Sequence, residues 1–456
     1  MKPSFYVCSM GLLTRVREAL GLKGNILPIL SIRSLDATGW QMFEAVWQPY
    51  ILSLGASMQH VGIISSTYLA FFSGFQFFTG TVSDSLGRKR TMIIAYLLSL
   101  ASILFTFAAD SWALLLPVMV VFAAVDALAE PAIIPLVAES VPEEKRGAAF
   151  GYLSQTWFLP GLFAPALGGL IGSQYGFKAL LLVVFTTETL SLIMFHFFVK
   201  ETLQSLKPIN LLDQAKRLVG FLKPERGLTR LYATIISNRF AYALFDGVLY
   251  AMVIRAHGFS ALTIAFAANV FTMTTALSLF GTGRFVDKVG SRIPLIASNL
   301  SWIIALAAYL YSSNLNALYL AQIIRGVSVA LWDPALNTYV ASETTESDRG
   351  RVTGKVGALK GILTFPAPVI GATLFELYGL TGPIFLSLIG ILLSTGLAIG
   401  LKKKENPLSS SHNARNVEGP VSGFLGYPCP LAYDPEVLHG GEYRESLVSE
   451  SAEKLW

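Results

Sequence analysis

The stretch GTVSDSLGRKR, residues 80–90, joins two long apolar segments, and the stretch GRFVDKVGSR, residues 283–292, repeats its pattern. Both copies follow G-x-x-x-D-x-x-G-x-[KR]. Asp84 and Asp287 are 203 residues apart, and the flanking glycines keep the same offset. The chain is therefore interpreted as two copies of one unit.

The composition indicates a membrane protein. Of the 456 residues, 53% are hydrophobic and 14% are charged, whereas about 25% of residues are charged in soluble globular domains. Apolar stretches of about 20 residues, the length that a helix needs to cross hydrocarbon, recur about twelve times. The predicted spans of the first half lie near 29–54, 61–82, 91–109, 113–139, 147–173 and 178–198. Those of the second half lie near 232–257, 264–285, 294–312, 316–341, 351–376 and 381–401.

The 203-residue offset also relates residues outside the two motifs. Such pairs are Glu130 and Asp333, Pro131 and Pro334, Glu143 and Glu346, Arg146 and Arg349, Pro165 and Pro368, and Gly168 and Gly371. Six spans per half, with both halves starting on the same side, predict a parallel repeat about an axis along the membrane normal. We therefore expect an all-α integral membrane protein with twelve transmembrane helices in two pseudo-symmetric six-helix bundles. The predicted domains are an N-terminal segment 1–28, bundles 29–198 and 232–401, a linker 199–231 and a disordered tail 402–456.

Lysine and arginine are concentrated in the loops on one side of the predicted membrane, as in the run of residues 88–90. Since positive loops stay in the cytoplasm, both termini and the linker are predicted to be cytoplasmic, in a plasma membrane protein. The formal net charge of +5 follows from this bias, so no nucleic-acid partner is expected. Cys8 and Cys429 lie in opposite tails, which favours neither a metal site nor a disulfide, and no cofactor is expected.

With two six-helix halves and this motif between the second and third span of each, the chain resembles the major facilitator superfamily of secondary transporters. The resemblance implies alternating access, in which the two loop motifs lock the halves together on the cytoplasmic side in the outward-facing state. It also implies that other cytoplasmic charges add to this gate. The implied gate residues are Gly80, Asp84, Gly87, Arg88, Arg90, Arg146, Gly283, Asp287, Gly290, Arg292 and Arg349.

The fifth span contains a second signal. Pro160, Pro165, Gly168 and Gly169 are similar to the glycine-proline motif of drug antiporters, which favours antiport. Glycines and prolines also bend helices and allow close packing, so a purely structural role is the alternative. The arginine that proton-coupled members carry in the fourth span is replaced here by Met119.

Ionisable residues at membrane depth are costly and are functional candidates by default. Asp36, Trp40 and Glu44 follow one another at spacings of four, which places them on one helix face. Burial favours the protonated form of a carboxyl group, so central acids are candidates for binding a proton, with Glu44 and Asp126 ranked first. The alternative for each acid is permanent neutralisation by a neighbour. The full predicted proton-coupling set is Asp36, Glu44, Asp126, Glu130 and Asp246.

Basic residues of the second half suggest an anionic substrate instead, whereas aromatic residues of both halves suit stacking on a flat or cationic substrate. The predicted cavity residues are Trp40, Arg239, Tyr242, Arg325 and Lys360. Asp36 and Arg239 are counterparts in the repeat, and we expect them to pair across the cavity. Asp333 is an alternative partner that would neutralise a cation of this half.

The favoured interpretation is proton-coupled efflux of drug-like or amphiphilic compounds, with protons, a small-molecule substrate and the lipid bilayer as partners of a monomer. The alternatives are an organic-anion transporter and a membrane receptor or scaffold that transports nothing. No nucleophile-base constellation, phosphate loop or metal-ligand cluster occurs in the sequence, so no enzyme is expected.

Overall fold

A computed structural model describes residues 24–203, 205–206, 227–344, 352, 355–356 and 359–401. These residues form helices and no β-strand. The first half contains α1 Ile26–Ser53, α2 Met58–Leu86, α3 Arg88–Ala108, α4 Leu115–Glu139, α5 Arg146–Gly161, α6 Ala164–Tyr175 and α7 Phe177–Phe198. The second half contains α8 Thr229–Asp246, α9 Leu249–His257, α10 Ala261–Val289, α11 Arg292–Leu310, α12 Leu315–Glu343, α13 Ala367–Tyr378 and α14 Thr381–Ile399.

Within this described part, ten helical segments are long and apolar enough to cross a membrane. The first span of each half is not among these ten. In the first half the span is too polar, and in the second half it is divided into two shorter helices. Helix α1 has 28 residues, enough to span the bilayer, but carries Arg33, Asp36 and Glu44. Helices α8 and α9 together form the seventh span and are interrupted after Asp246. The predicted twelve-helix architecture is confirmed, with boundaries that agree to within a few residues where the structure describes them.

Three spans are broken near their middle. The fifth span breaks between α5 and α6, the seventh between α8 and α9, and the eleventh at residues 365–366, between helical residues 359–364 and α13. Helix interruptions free backbone carbonyls that need new partners in a membrane protein. The Gly247 carbonyl of the seventh span accepts hydrogen bonds from Ser65 Oγ at 2.7 Å and from Gln48 Nε2 at 3.2 Å. Both donors belong to the first half, so this break joins the halves.

The two halves touch at the end of the molecule that lies opposite the loop motifs. There α2 packs against α13 so closely that a Cβ on Gly62 would lie 2.8 Å from the Pro368 carbonyl oxygen. Nearby, Asn269 Nδ2 donates to the Leu162 carbonyl at 3.0 Å. At the motif end, a Cβ on Gly80 or Gly283 would meet nothing within 4 Å. The structure is thus closed at the opposite end, whereas the motif glycines face open space.

Candidate proton and substrate site

Two acids occupy the space between the halves. Glu44 is exposed in the middle of α1, and no hydrogen bond or ion pair joins its carboxylate to the described residues. It lies within electrostatic range of Asp126, Asp246 and Arg325, from α4, α8 and α12. A side chain surrounded by charged groups of three other helices faces the interior rather than lipid. Glu44 is therefore exposed to a space between the helices and not to lipid.

Asp126 is the second of these acids. It is half-buried on α4, and Tyr68 of α2 donates its hydroxyl to Asp126 Oδ2 at 2.6 Å. The described residues supply no cation in salt-bridge contact with it. One turn further along α4, Glu130 is exposed, likewise without a cation in contact. The first half thus presents carboxyl groups whose charge is not balanced by a bound side chain.

Asp36 has a different environment from the other acids of α1. It is buried, with 4% exposure, and Arg33 Nη1 donates to its Oδ2 at 2.5 Å. The predicted pair between Asp36 and Arg239 is wrong. Arg33 lies one helical turn before Asp36 on the same helix, where spacings of three bring side chains together, whereas Arg239 has a partner in its own half.

The two arginines of the predicted cavity set are both paired. Arg239 forms an ion pair with Asp333 and lies 5.8 Å from the centre of the Trp332 ring. Arg325 forms an ion pair with Asp246 and lies 3.8 Å from the centre of the Phe271 ring. Asp333 thus neutralises Arg239, and Asp246 is balanced by a cation, unlike Glu44.

The remaining predicted cavity residues are Lys360 and two aromatic residues. Lys360 is half-buried within electrostatic range of Asp333, and its ammonium has no hydrogen bond to the described residues. Tyr242 is 7% exposed and stacks on Trp302 with ring centres 3.9 Å apart, so it packs inside the second half. Trp40 packs edge-on against Phe122 with ring centres 5.0 Å apart. Roles for Trp40 and Tyr242 in substrate contact stay predictions.

Glu188 of α7 was not among the predicted site residues. It is 1% exposed, and its Oε1 accepts hydrogen bonds from Trp40 Nε1 and Ser99 Oγ, each at 2.7 Å. The signal that could have found it is simple: Glu188 is an acid in the middle of an otherwise apolar span, which makes it a functional candidate by default.

The first loop motif forms a charge cluster inside the first half. Arg88 donates from Nη1 to Asp84 Oδ1 and from Nη2 to Glu139 Oε1, each at 3.0 Å. Glu201, after α7, accepts hydrogen bonds from the backbone N–H groups of Arg88 and Lys89 at the start of α3. These contacts tie α2, α3, α4 and the start of the linker together at the motif end.

The second motif shares the turn of the first but lacks the arginine that directly follows its turn glycine. Gly87 and Gly290 both have positive φ, at 98° and 79°, in the turns that end α2 and α10. The position of Arg88 is taken by Ser291 in the second copy, and Arg292 is half-buried. Arg90 is exposed. Arg146 contacts Glu143 at 3.5 Å within the first half, and Arg349 lies outside the described residues. A role for these residues in a gate between the halves stays a prediction.

Comparisons with known proteins agree with this architecture. The family model described as Major Facilitator Superfamily matches residues 29–228 and 231–433. The chain is similar to the multidrug resistance protein MdtG of Salmonella arizonae, with 23% identity over 374 residues that cover 77% of this chain and 91% of that protein. Two crystal structures share its fold. The human organic anion transporter MFSD10 has a TM-score of 0.61 at 17% identity, covering 82% of this chain and 98% of that one. The nucleoside transporter NupG has a TM-score of 0.64 at 14% identity, covering 83% and 98%.

Proposed function

Since the chain belongs to the Major Facilitator Superfamily and is a membrane transporter rather than an enzyme, we propose that it exports drug-like or amphiphilic compounds in exchange for protons. The family membership also favours transport over the receptor alternative. The likeness to a multidrug resistance protein supports drug-like compounds as the substrate class.

The observation that carries this proposal is the excess of carboxyl groups on the first-half side of the central space. Glu44 and Asp126 face that space without a cation in contact. An acid in such a place binds either a proton or a cationic solute, and competition between the two is the basis of antiport. A proton that arrives releases the cation, and a cation that arrives releases the proton.

The conformation of the described residues supports an assignment to one state of the transport cycle. We infer that the motif end is cytoplasmic, because the loops at this end carry most of the lysine and arginine. The described state, closed at the opposite end, is then inward-facing and takes up solute from the cytoplasm. The motif cluster around Arg88 would make its contacts to the other half only after the change to the outward-facing state. We expect the transporter to work as a monomer in a cell membrane.

An organic anion is the second candidate substrate. The specific observation in its favour is Lys360, a half-buried cation without a hydrogen-bond partner among the described residues. The fold likeness to a human organic anion transporter is compatible with this but shows the fold alone. Arg239 and Arg325 favour it less, because Asp333 and Asp246 already neutralise them.

The test is solute-driven proton movement in proteoliposomes that hold the full-length protein and a pH-sensitive dye. Tetraphenylphosphonium serves as the lipophilic cation and benzoate as the organic anion. We expect the cation to release protons from wild type and to release far fewer from Glu44→Gln. Asp110→Asn is the matched control, because Asp110 is an exposed acid outside the spans.

Each alternative predicts another pattern. Proton movement with benzoate alone, lost in Lys360→Met, would replace the cation proposal with the anion one. A cation response that persists in Glu44→Gln and in Asp126→Asn would contradict the assignment of these two acids. Solute flux without any proton movement would exclude antiport with protons.

A further inference from the structure

A fully buried carboxyl group lies inside the first half, away from the central site. Glu188 has two oxygens in unlike surroundings: Oε1 accepts from Trp40 and Ser99, whereas Oε2 accepts no hydrogen bond from the described residues. The two donors are an indole and a hydroxyl, both neutral. A buried carboxylate without a balancing cation costs several kcal/mol. The charge of Glu188 therefore needs a partner that the hydrogen bonds do not supply.

The charged groups around Glu188 come from three neighbouring helices. Helix α1 contributes Arg33 and Asp36, α3 contributes Tyr96, and α4 contributes Asp126 at longer range. Arg33 is the cation in this described cluster, and its Nη1 already contacts Asp36. One cation thus faces two buried carboxyl groups. The cluster is neutral only if one of these carboxyl groups carries a proton.

The fold indicates where that proton lies. Asp36 lies one helical turn before Trp40 on one face of α1, and Trp40 donates to Glu188 Oε1 at 2.7 Å, so both buried carboxyl groups belong to the same contact between α1 and α7. Two neighbouring buried carboxyl groups that face one cation avoid a net charge by sharing one proton. We propose that Asp36 and Glu188 form a proton-sharing pair, a buried proton-binding site in the first half that is separate from Glu44 and Asp126.

The pair lies where two helices approach closely. Beside it, a Cβ on Gly39 of α1 would lie 2.2 Å from Thr187 Oγ1 of α7. Loss of the shared proton leaves two negative charges in one buried interface, with one oxygen of Glu188 held by Trp40 and Ser99. Repulsion then acts between α1, which carries Glu44, and α7. Protonation of this site therefore controls the packing of the helix that forms one wall of the central space.

The second half has no acid at the equivalent place. The repeat offset puts Ile391 opposite Glu188. The corresponding interface of α8, α11 and α14 uses neutral groups, in which Trp302 Nε1 donates to Ser387 Oγ at 3.3 Å and Asn238 Nδ2 donates to Asn299 Oδ1 at 2.8 Å. Neutral polar side chains are sufficient to hold this interface, so the carboxyl pair of the first half is not required by the fold.

Infrared spectroscopy of the purified full-length protein tests the site without any solute, so its outcome is independent of the proposed function. A protonated carboxyl group has a carbonyl stretching band that shifts in deuterium oxide. At neutral pH we expect such a band in the difference spectrum of wild type minus Glu188→Gln, in which the bands of Glu44 and Asp126 cancel. Glu376→Gln is the matched control, because Glu376 is an exposed acid at the opposite end of the molecule. Absence of the band from the difference spectra of wild type with both Glu188→Gln and Asp36→Asn would overturn the proposal.

Thermal unfolding in detergent gives a second measurement. The amide of Glu188→Gln accepts from Trp40 and Ser99 and donates to Asp36, so it mimics the protonated acid and we expect it to fold. Deprotonation at high pH creates repulsion in wild type, so its unfolding temperature should fall more steeply with rising pH than that of Glu188→Gln. Equal pH dependence would contradict the shared proton. Stabilisation of wild type by sodium over choline, absent from Glu188→Gln, would identify a metal cation at Oε2 instead.

Discussion

The two halves of the molecule share their order of helices, but their interiors have opposite charge. The first half places Asp36, Glu44, Asp126, Glu130 and Glu188 against the single cation Arg33 in the described mid-span region. The second half places Arg239, Arg325, Lys355 and Lys360 against Asp246 and Asp333. Its arginines are neutralised by ion pairs, whereas the first half has carboxyl groups in excess. A duplicated backbone thus supports two different chemistries, one suited to binding protons and one to internal pairing.

The largest expected effect comes from comparing an acid of each half. Asp126→Asn removes a carboxyl group that has no cation in contact, and we expect proton-coupled export to fall at least about tenfold, equivalent to about 1.4 kcal/mol. Asp246→Asn removes the partner of Arg325 and should retain coupling. Initial rates of cation-driven proton release at equal protein content measure both. Loss of coupling in Asp246→Asn alone would reverse the roles assigned to the halves.

Stability should depend strongly on the pair between Arg325 and Asp246. Removing one member of a buried ion pair costs about 3 to 5 kcal/mol, and the lower end applies because the Asp246 side chain is 46% exposed. We expect Arg325→Met to lower the thermal unfolding temperature more than Arg239→Met, whose side chain is 25% exposed rather than 7%. The double variant Arg325→Met with Asp246→Leu should recover most of the loss. No recovery would indicate that Arg325 stabilises through Gln322 or Phe271 instead.

A smaller difference in stability is expected between variants of the two loop motifs. Arg88 contacts two carboxylates and its side chain is 10% exposed. Arg88→Gln should cost about 1.5 kcal/mol of stability, the lower end of the range for hydrogen bonds to charged groups, because the Asp84 and Glu139 side chains are partly exposed. Ser291 occupies the equivalent position, and we expect Ser291→Ala to change stability by less than about 0.5 kcal/mol. Chemical denaturation in detergent compares the two. Similar losses in both variants would show that the charges of the first motif add little.

The smallest effect is expected for Lys360→Met. Because we assign cation export to the acids of the first half, the rate of tetraphenylphosphonium export should change less than about twofold, below 0.5 kcal/mol. Any benzoate transport should disappear. The two substrates are measured in the same vesicle preparation, so that protein content cancels. A large loss of cation export would mean that the second half takes part in the chemistry and would end the contrast between the halves.

The fold was predictable because its signals are local in sequence. Hydrophobic stretches located the twelve spans, and the repeat between Asp84 and Asp287 located the halves. Partners across helices were harder to predict. Helix periodicity shows which residues share a face, but the partner of Arg239 depends on how α8 and α12 rotate against each other, and here it is Asp333.

The break in the seventh span and the environment of Glu188 were also missed, whereas a bend in the fifth span was the structural alternative for its prolines and glycines. Pro160 and Gly247 lie at or beside two of the breaks, yet proline and glycine occur in intact spans as well, and Pro131 lies within the unbroken α4. Glu188 is one acid in an apolar span, and the composition of that span does not show that Asp36 of another helix lies nearby. That contact arises only from the packing of α1 on α7.

The break in the seventh span has a consequence for genetic studies of this transporter. The Gly247 carbonyl receives hydrogen bonds from Gln48 and Ser65, and a carbonyl belongs to the backbone, so no substitution removes it. A saturation mutagenesis screen would then detect this contact from the first half alone, through Gln48 and Ser65. At Gly247 a substitution would instead test the space around the residue, because a Cβ there would lie 3.1 Å from Pro368 Cγ. Mutational sensitivity at Gly247 would therefore measure the packing of the opposite end and not the hydrogen bonds that its carbonyl accepts.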